Sequence, residues 1–212
     1  MLTFVPMIAD FDIRMAVPVM EHFYTLQGEG IYAGKAAYFI RLAGCDVGCV
    51  WCDVKESWTA TREQLMKYTD LATVIGKSPA NLAVVTGGEP CIYALESLTT
   101  VLESLQCRKH LETSGAYPIS GNWDWICVSP KKFKLPLPES LMMANELKII
   151  VYNNSDIKWA ESFTDKVNGS CQLLLQPEWS KKKQMEPLII DYIKGNPKWS
   201  LSIQTHKYLD IP

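Results

Sequence analysis

The chain has 212 residues, 48% of them hydrophobic, and its 21 basic and 23 acidic side chains leave a formal charge of −2. That is enough apolar surface for one substantial core, with nothing that requires a second. The near-balanced charge gives no basic field to favour nucleic acid or an anionic membrane.

The opening MLTFVPMIADFDIR carries a short apolar run with no basic residue ahead of it, broken by Asp10 and Asp12. Neither a signal peptide nor a span, which needs about 20 apolar residues, is expected. Seven cysteines, three of them within eight positions, do not suit a secreted disulfide framework. A reducing, cytoplasmic setting is the expectation.

Residues 1–16 show no period and read as a loose arm, with one domain over 17–212. AAYFIRL (36–42) reads as a buried strand, rich in β-branched and aromatic residues. Thr61 and Gln64 resemble a capping box ahead of Leu65, Tyr68, Leu71, Ala72 and Ile75 at helical spacing. NLAVVT (81–86) is a second strand, ended by Gly87-Gly88, and a helix is predicted from Ile92 to Leu105. Further strands are predicted at 110–113, 125–129, 146–152, 172–176 and 199–204, with helices near 138–145, 156–163 and 184–194. Lys181, Lys182 and Lys183 read as a solvated helix start.

Alternating strands and helices predict an α/β fold with a parallel sheet and right-handed crossovers. Six or seven strands suit an incomplete, partial TIM-type β/α barrel, since a full one takes about 250 residues. The stretch 114–124 is too short and polar for a crossover helix, so that connection is abbreviated.

Cys45, Cys49 and Cys52 lie on one short loop directly after strand 36–42. Thiolates bind iron strongly, and spacings of three and two residues let one turn wrap three corners of an iron–sulfur cluster, leaving one iron open. A structural zinc site would want a fourth ligand, and a ferredoxin-like electron carrier a fourth cysteine; neither is near in sequence. Cys91, Cys107, Cys127 and Cys171 read as buried packing residues.

This CxxxCxxC, with Trp51 before its last cysteine, resembles the signature of the radical S-adenosylmethionine (SAM) superfamily. The resemblance implies a [4Fe-4S] cluster whose open iron is chelated by SAM, and a 5′-deoxyadenosyl radical that abstracts hydrogen from the substrate. Thr86-Gly87-Gly88-Glu89-Pro90 is similar to the superfamily's SAM-binding turn, which puts Gly88 at SAM and Thr86 on the substrate side. Trp51, Ser114, Ser129, Pro130, Lys131 and Gln176 fall on segments that related enzymes use around SAM.

More narrowly, Leu26-Gln27-Gly28-Glu29-Gly30 resembles the substrate-binding start of the 7-carboxy-7-deazaguanine synthase family. Arg41 falls where that family binds the carboxylate of its pterin, a role suited to a planar, two-pronged cation, and Pro212 matches a terminal proline that reaches the pocket. The implied reaction converts 6-carboxy-5,6,7,8-tetrahydropterin to 7-carboxy-7-deazaguanine with loss of ammonia, in 7-deazaguanine and queuosine biosynthesis. The implied partners are the pterin and a flavodoxin- or ferredoxin-type reductant, and a homodimer is compatible with this reading. One departure stands out. Where many family members carry a Ser or Thr that helps bind Mg2+, this chain has Val54, which offers no oxygen to a hard cation. A small radical SAM activase, which makes a glycyl radical on a partner, and a non-catalytic iron–sulfur carrier are the rival readings.

Overall fold

The computed structural model describes residues 15–212. The arm expected over 1–16 lies outside the described residues, apart from Met15 and Ala16, and Ala16 already belongs to the first strand.

Among the described residues nine strands form one sheet in the order β3-β1-β2-β4-β5-β6-β7-β8-β9. These are β1 (Ala16–Leu26), β2 (Ala36–Leu42), β3 (Leu65–Lys67), β4 (Leu82–Gly87), β5 (Arg108–Thr113), β6 (Trp125–Val128), β7 (Glu146–Val151), β8 (Gln172–Pro177) and β9 (Trp199–Leu201). From β2 through β4 to β9 every neighbouring pair is parallel. The expected partial barrel of seven parallel strands is therefore present, and β5 passes to β6 with no helix between them.

Helices α1 (Tyr68–Gly76), α2 (Glu96–Ser104), α3 (Pro138–Met143), α4 (Ser155–Glu161) and α5 (Lys182–Gly195) lie between strands. Strand side chains alternate between faces. Ile40, Leu42, Val85, Leu111, Leu147 and Ile149 share one core with Leu71, Leu98 and Ile189 of the helices. The opposite face, with Arg41, Glu112, Lys148 and Gln176, is left for polar groups.

Several boundaries differ from the sequence reading. The capping box at Thr61 and Gln64 is present, but it caps a single 3-10 turn. Leu65–Lys67 then pair with Ala16–Pro18 before the helix begins at Tyr68. The helix expected from Ile92 starts only at Glu96, because the Glu89 side chain accepts from the Cys91 amide and closes a separate 3-10 turn. Residues 202–204 leave the last strand, and a short helix, α6 (Thr205–Leu209), follows.

The first strand was also not foreseen. Strand β1 turns back on β2, placing Glu21 opposite Arg41 and Phe23 opposite Phe39. Its loop, residues 27–35, crosses to the far side of the sheet. The Ile31 amide donates to Glu146 of β7, and the Gly30 amide to Ser202 just after β9. Below this loop the Tyr32 ring meets His110 and Trp125 edge-on, an aromatic floor to the barrel.

Candidate active site

At the carboxyl ends of the parallel strands lies a cavity of about 270 Å3. The three cysteines form one part of its wall, and Arg41, Thr86 and Gln27 another. Leu26, Gly28, Glu29, Trp51 and Val54 reach it, as do Gly88, Ser114, Ser129, Lys131, Gln176 and the terminal Pro212. Of the site residues read from the sequence, only Pro130 is absent from this wall among the described residues.

The cluster loop is held by the glycine turn. Gly88 and Glu89 donate their amides to Leu42 O and Gly44 O, both at 2.9 Å, and Gly44 donates to Ser57 O at 2.7 Å. A Cβ on Gly88 would lie 2.4 Å from Gly44 O and 2.7 Å from Cys45 Cβ, so only glycine permits this approach. With the Gly88 and Glu89 amides engaged, the turn has carbonyl oxygens to offer an ammonium.

All three cysteines are free thiols, and Trp58 Nε1 donates to Cys52 Sγ at 3.4 Å. Burial pushes the Cys49 thiol up to about 11, while the Lys131 ammonium pulls the other way. Binding to iron would itself deprotonate such thiols. Among the described residues no three His, Cys, Asp or Glu side chains could together hold a single metal ion. Three thiols with no fourth donor fit three corners of a cluster and not a closed tetrahedral zinc site. Val54 lines the cavity and offers Mg2+ no side-chain oxygen.

Glu89, missed by the sequence reading, is fully buried. It accepts from the Cys91 amide, the Thr113 hydroxyl, and both the amide and hydroxyl of Ser114. Ser114 therefore reaches the cavity with its hydroxyl proton already given to Glu89. Lys131 Nζ donates to Ser129 Oγ at 2.6 Å, which leaves the Ser129 hydroxyl proton free to donate.

Arg41 pairs with Glu21 through Nε, and its two terminal nitrogens have no partner among the described residues. Arg41 itself lines the cavity. Gln27 is buried, donates to Glu112 Oε1 at 2.9 Å and accepts from the Glu29 amide. Glu29 accepts from Lys148 and from Gln204 Nε2. Burial alone would push its carboxyl up, but the Lys148 ammonium and these hydrogen bonds outweigh burial and hold it down at about 2.

The chain end closes over this loop. Thr205 donates both its amide and its hydroxyl to Gly28 O, at 2.8 and 2.9 Å. Lys207 of α6 pairs with Asp53 of the cluster loop at 2.6 Å. Asp210 adopts a left-handed conformation (φ 53) that turns Ile211 and Pro212 back. The Trp179 ring packs edge-on against Tyr208, with Lys182 Nζ 3.2 Å from its centroid.

Lys148 and His206 were not read as site residues. For Lys148 the signal was available: Glu146-x-Lys148 puts two charges on one face of an otherwise apolar strand.

No protein-family model matches the chain. A 7-carboxy-7-deazaguanine synthase of Flavobacterium psychrophilum is 54% identical over 207 residues, covering 95% of this chain and 98% of that protein. The enzyme of the same name from Synechocystis is 43% identical, covering 94% and 95%. The crystal structure of QueE from Escherichia coli superposes with a TM-score of 0.82 at 34% identity, covering 90% of this chain and 95% of that one.

Proposed function

The chain belongs to the 7-carboxy-7-deazaguanine synthase family, and from that premise we propose how its residues divide the work. It is a radical SAM lyase that converts 6-carboxy-5,6,7,8-tetrahydropterin to 7-carboxy-7-deazaguanine, contracting the ring and releasing ammonia. The observation that carries this reading is that three free thiols, the Gln27–Glu29 loop and the chain end share one cavity.

Cys45, Cys49 and Cys52 would hold the [4Fe-4S] cluster and leave one iron for SAM. Cluster and SAM, when bound, supply the hydrogen abstraction from the substrate; the protein's part is binding, orientation and exclusion of water. On the SAM side, the carbonyls of the Gly88 turn accept from its ammonium, and the Ser129 hydroxyl and Lys131 suit its carboxylate. Trp51, Ser114 and Gln176 complete that wall, with Pro130 setting the Ser129–Lys131 turn from behind.

On the substrate side, the terminal nitrogens of Arg41 match the pterin carboxylate, a charge-assisted, two-pronged contact. Thr86, the backbone of Leu26 and Gly28, and the side chains of Gln27 and Glu29 suit the donor and acceptor edges of the heterocycle. Pro212 comes to the same space. Phe23, stacked on Phe39 at 5.5 Å, gives an apolar side to the cavity.

Mg2+, if used, would rely on substrate oxygens and water at Val54. A flavodoxin- or ferredoxin-type protein is the proposed electron donor, the cytoplasm the proposed setting, and a homodimer the proposed assembly. Among the described residues no helix is long and apolar enough to cross a membrane. The test is anaerobic incubation of the cluster-loaded protein with SAM, a reductant and the carboxylated pterin, followed by mass analysis. A product lighter by one ammonia, with SAM not consumed in stoichiometric amount, is expected; SAM cleavage with the pterin unchanged would sink the assignment.

A further inference from the structure

Beneath the Gln27–Glu29 loop, one ammonium stands among several carboxylates. Lys148 projects from β7 with its side chain 4% exposed, pairing with Glu29 and, at 3.4 Å, with Glu112. Glu29 also accepts from Gln204 through its other oxygen, and its side chain is 16% exposed. Glu112 is different. Gln27 takes Oε1, Lys148 approaches Oε2 only at that longer distance, and the side chain is 23% exposed on the cavity wall. An ionised carboxylate has about four lone-pair sites, so Glu112 keeps acceptor capacity toward the cavity.

We propose that Lys148 is a positioning residue that holds Glu29 and Glu112 together, so that Glu112 can accept an N–H of the substrate's heterocycle. The proposal rests on the pterin reading above. Without a cation, two carboxylates sharing a desolvated site cannot both stay ionised, and one retains a proton. The pair would then no longer hold Glu112 in place. Glu146 on β7 and Cys127 on β6 also face the ammonium, and Lys131 lies within electrostatic range of it. His206 of α6 acts on both Glu29 and Glu112.

The experiment measures kcat and KM for 6-carboxy-5,6,7,8-tetrahydropterin with the cluster-loaded full chain, from pH 6 to pH 8.5. For Lys148→Met, KM should rise about tenfold or more relative to wild type, as for loss of a hydrogen bond to a charged group. That ratio should be largest at pH 6 and shrink as pH rises, because the retained proton leaves. Lys148→Arg should flatten the ratio again, and the cluster's spectral response to SAM should be unchanged in both. If Lys148→Met does not fold, Glu112→Gln keeps the Lys148–Glu29 pair and should still raise KM more than it lowers kcat. A KM ratio independent of pH, or a loss falling on kcat together with the SAM response, would overturn the role given to Lys148. Wild-type protein that binds SAM but never turns over the pterin would instead overturn the functional reading on which the role depends.

Discussion

Replacing Gly88 by alanine should empty the cluster site without touching a cysteine. The added Cβ would lie 2.4 Å from Gly44 O, 2.7 Å from Cys45 Cβ and 2.8 Å from Ser57 O. None of these is the far end of a flexible side chain; two are backbone oxygens and the third is the Cβ of Cys45. Ordinary contact begins near 3.4 Å, so the loop must retreat by about 1 Å. That movement strains the Glu89–Gly44 and Gly44–Ser57 hydrogen bonds, each worth about 1 kcal/mol. Overpacking adds about 1–3 kcal/mol, so up to about 5 kcal/mol falls on the segment that presents Cys45.

Gly34→Ala is the control, because Gly34 has φ +85 with nothing within 4 Å of the added atom. It should cost about 1–2 kcal/mol through backbone strain alone. The assay pairs denaturant unfolding with iron and sulfide content after anaerobic reconstitution. Gly88→Ala should lose most of its iron, and Gly34→Ala should keep it. Full cluster loading in Gly88→Ala would refute the reasoning, as would equal iron loss in both variants.

Three further outcomes follow from the same geometry. Arg41→Ala should weaken pterin binding by about tenfold or more, with lysine rescuing only partly; an unchanged dissociation constant in a cluster-loaded variant counts against a carboxylate contact. Val54→Thr should strengthen the dependence of turnover on Mg2+ relative to wild type, and identical Mg2+ titrations of the two proteins would remove the significance given to that position. The Glu29 carboxyl, held down to about 2 against an ordinary 4.5, contributes stability that is present above pH 4.5 and lost as pH falls toward 2. Glu29→Gln should therefore lose stability at pH 7 and show a shallower decline in acid, and parallel pH profiles would contradict this.

Much of the scaffold was legible because buried parallel strands read as continuous apolar runs, and the cysteine loop and the Gly87-Gly88 turn follow such runs directly. The first strand was not. Strand β1 mixes Pro18, Glu21 and His22 with apolar residues, and its eleven residues serve two partners, β3 at one end and β2 along the rest. Leu65–Lys67 carry a helical pattern, but pairing with Ala16–Pro18 overrides it, a tertiary effect that local propensity cannot report. The short helix α6 was hidden for a similar reason: its first residue docks on Gly28, 177 positions away. At the site, residue types were legible and partners were not. Arg41 looked like a cation awaiting a carboxylate, yet Glu21 already holds its Nε.

Those partners explain how a polar interior is tolerated. An unpaired buried polar group costs about 1–3 kcal/mol, and the inward face of this sheet carries Glu112, Glu146, Lys148 and Gln176 together. Glu112 and Glu29 share Lys148, Gln176 accepts from Ser202, and Glu146 accepts from Ile31 and Trp125. Among the described residues only His110 Nε2 is buried without a partner, and it sits in the aromatic floor, apart from the cavity wall. The site's polar groups therefore fix one another before any ligand arrives. Groups that stay open among the described residues include the three thiols, the Arg41 terminal nitrogens, the Ser129 hydroxyl proton and the outer face of Glu112, which a bound cluster, SAM and a carboxylated heterocycle would satisfy. A preorganised wall of this kind keeps little freedom to lose on binding, which suits an enzyme that must hold a radical against one carbon and away from water.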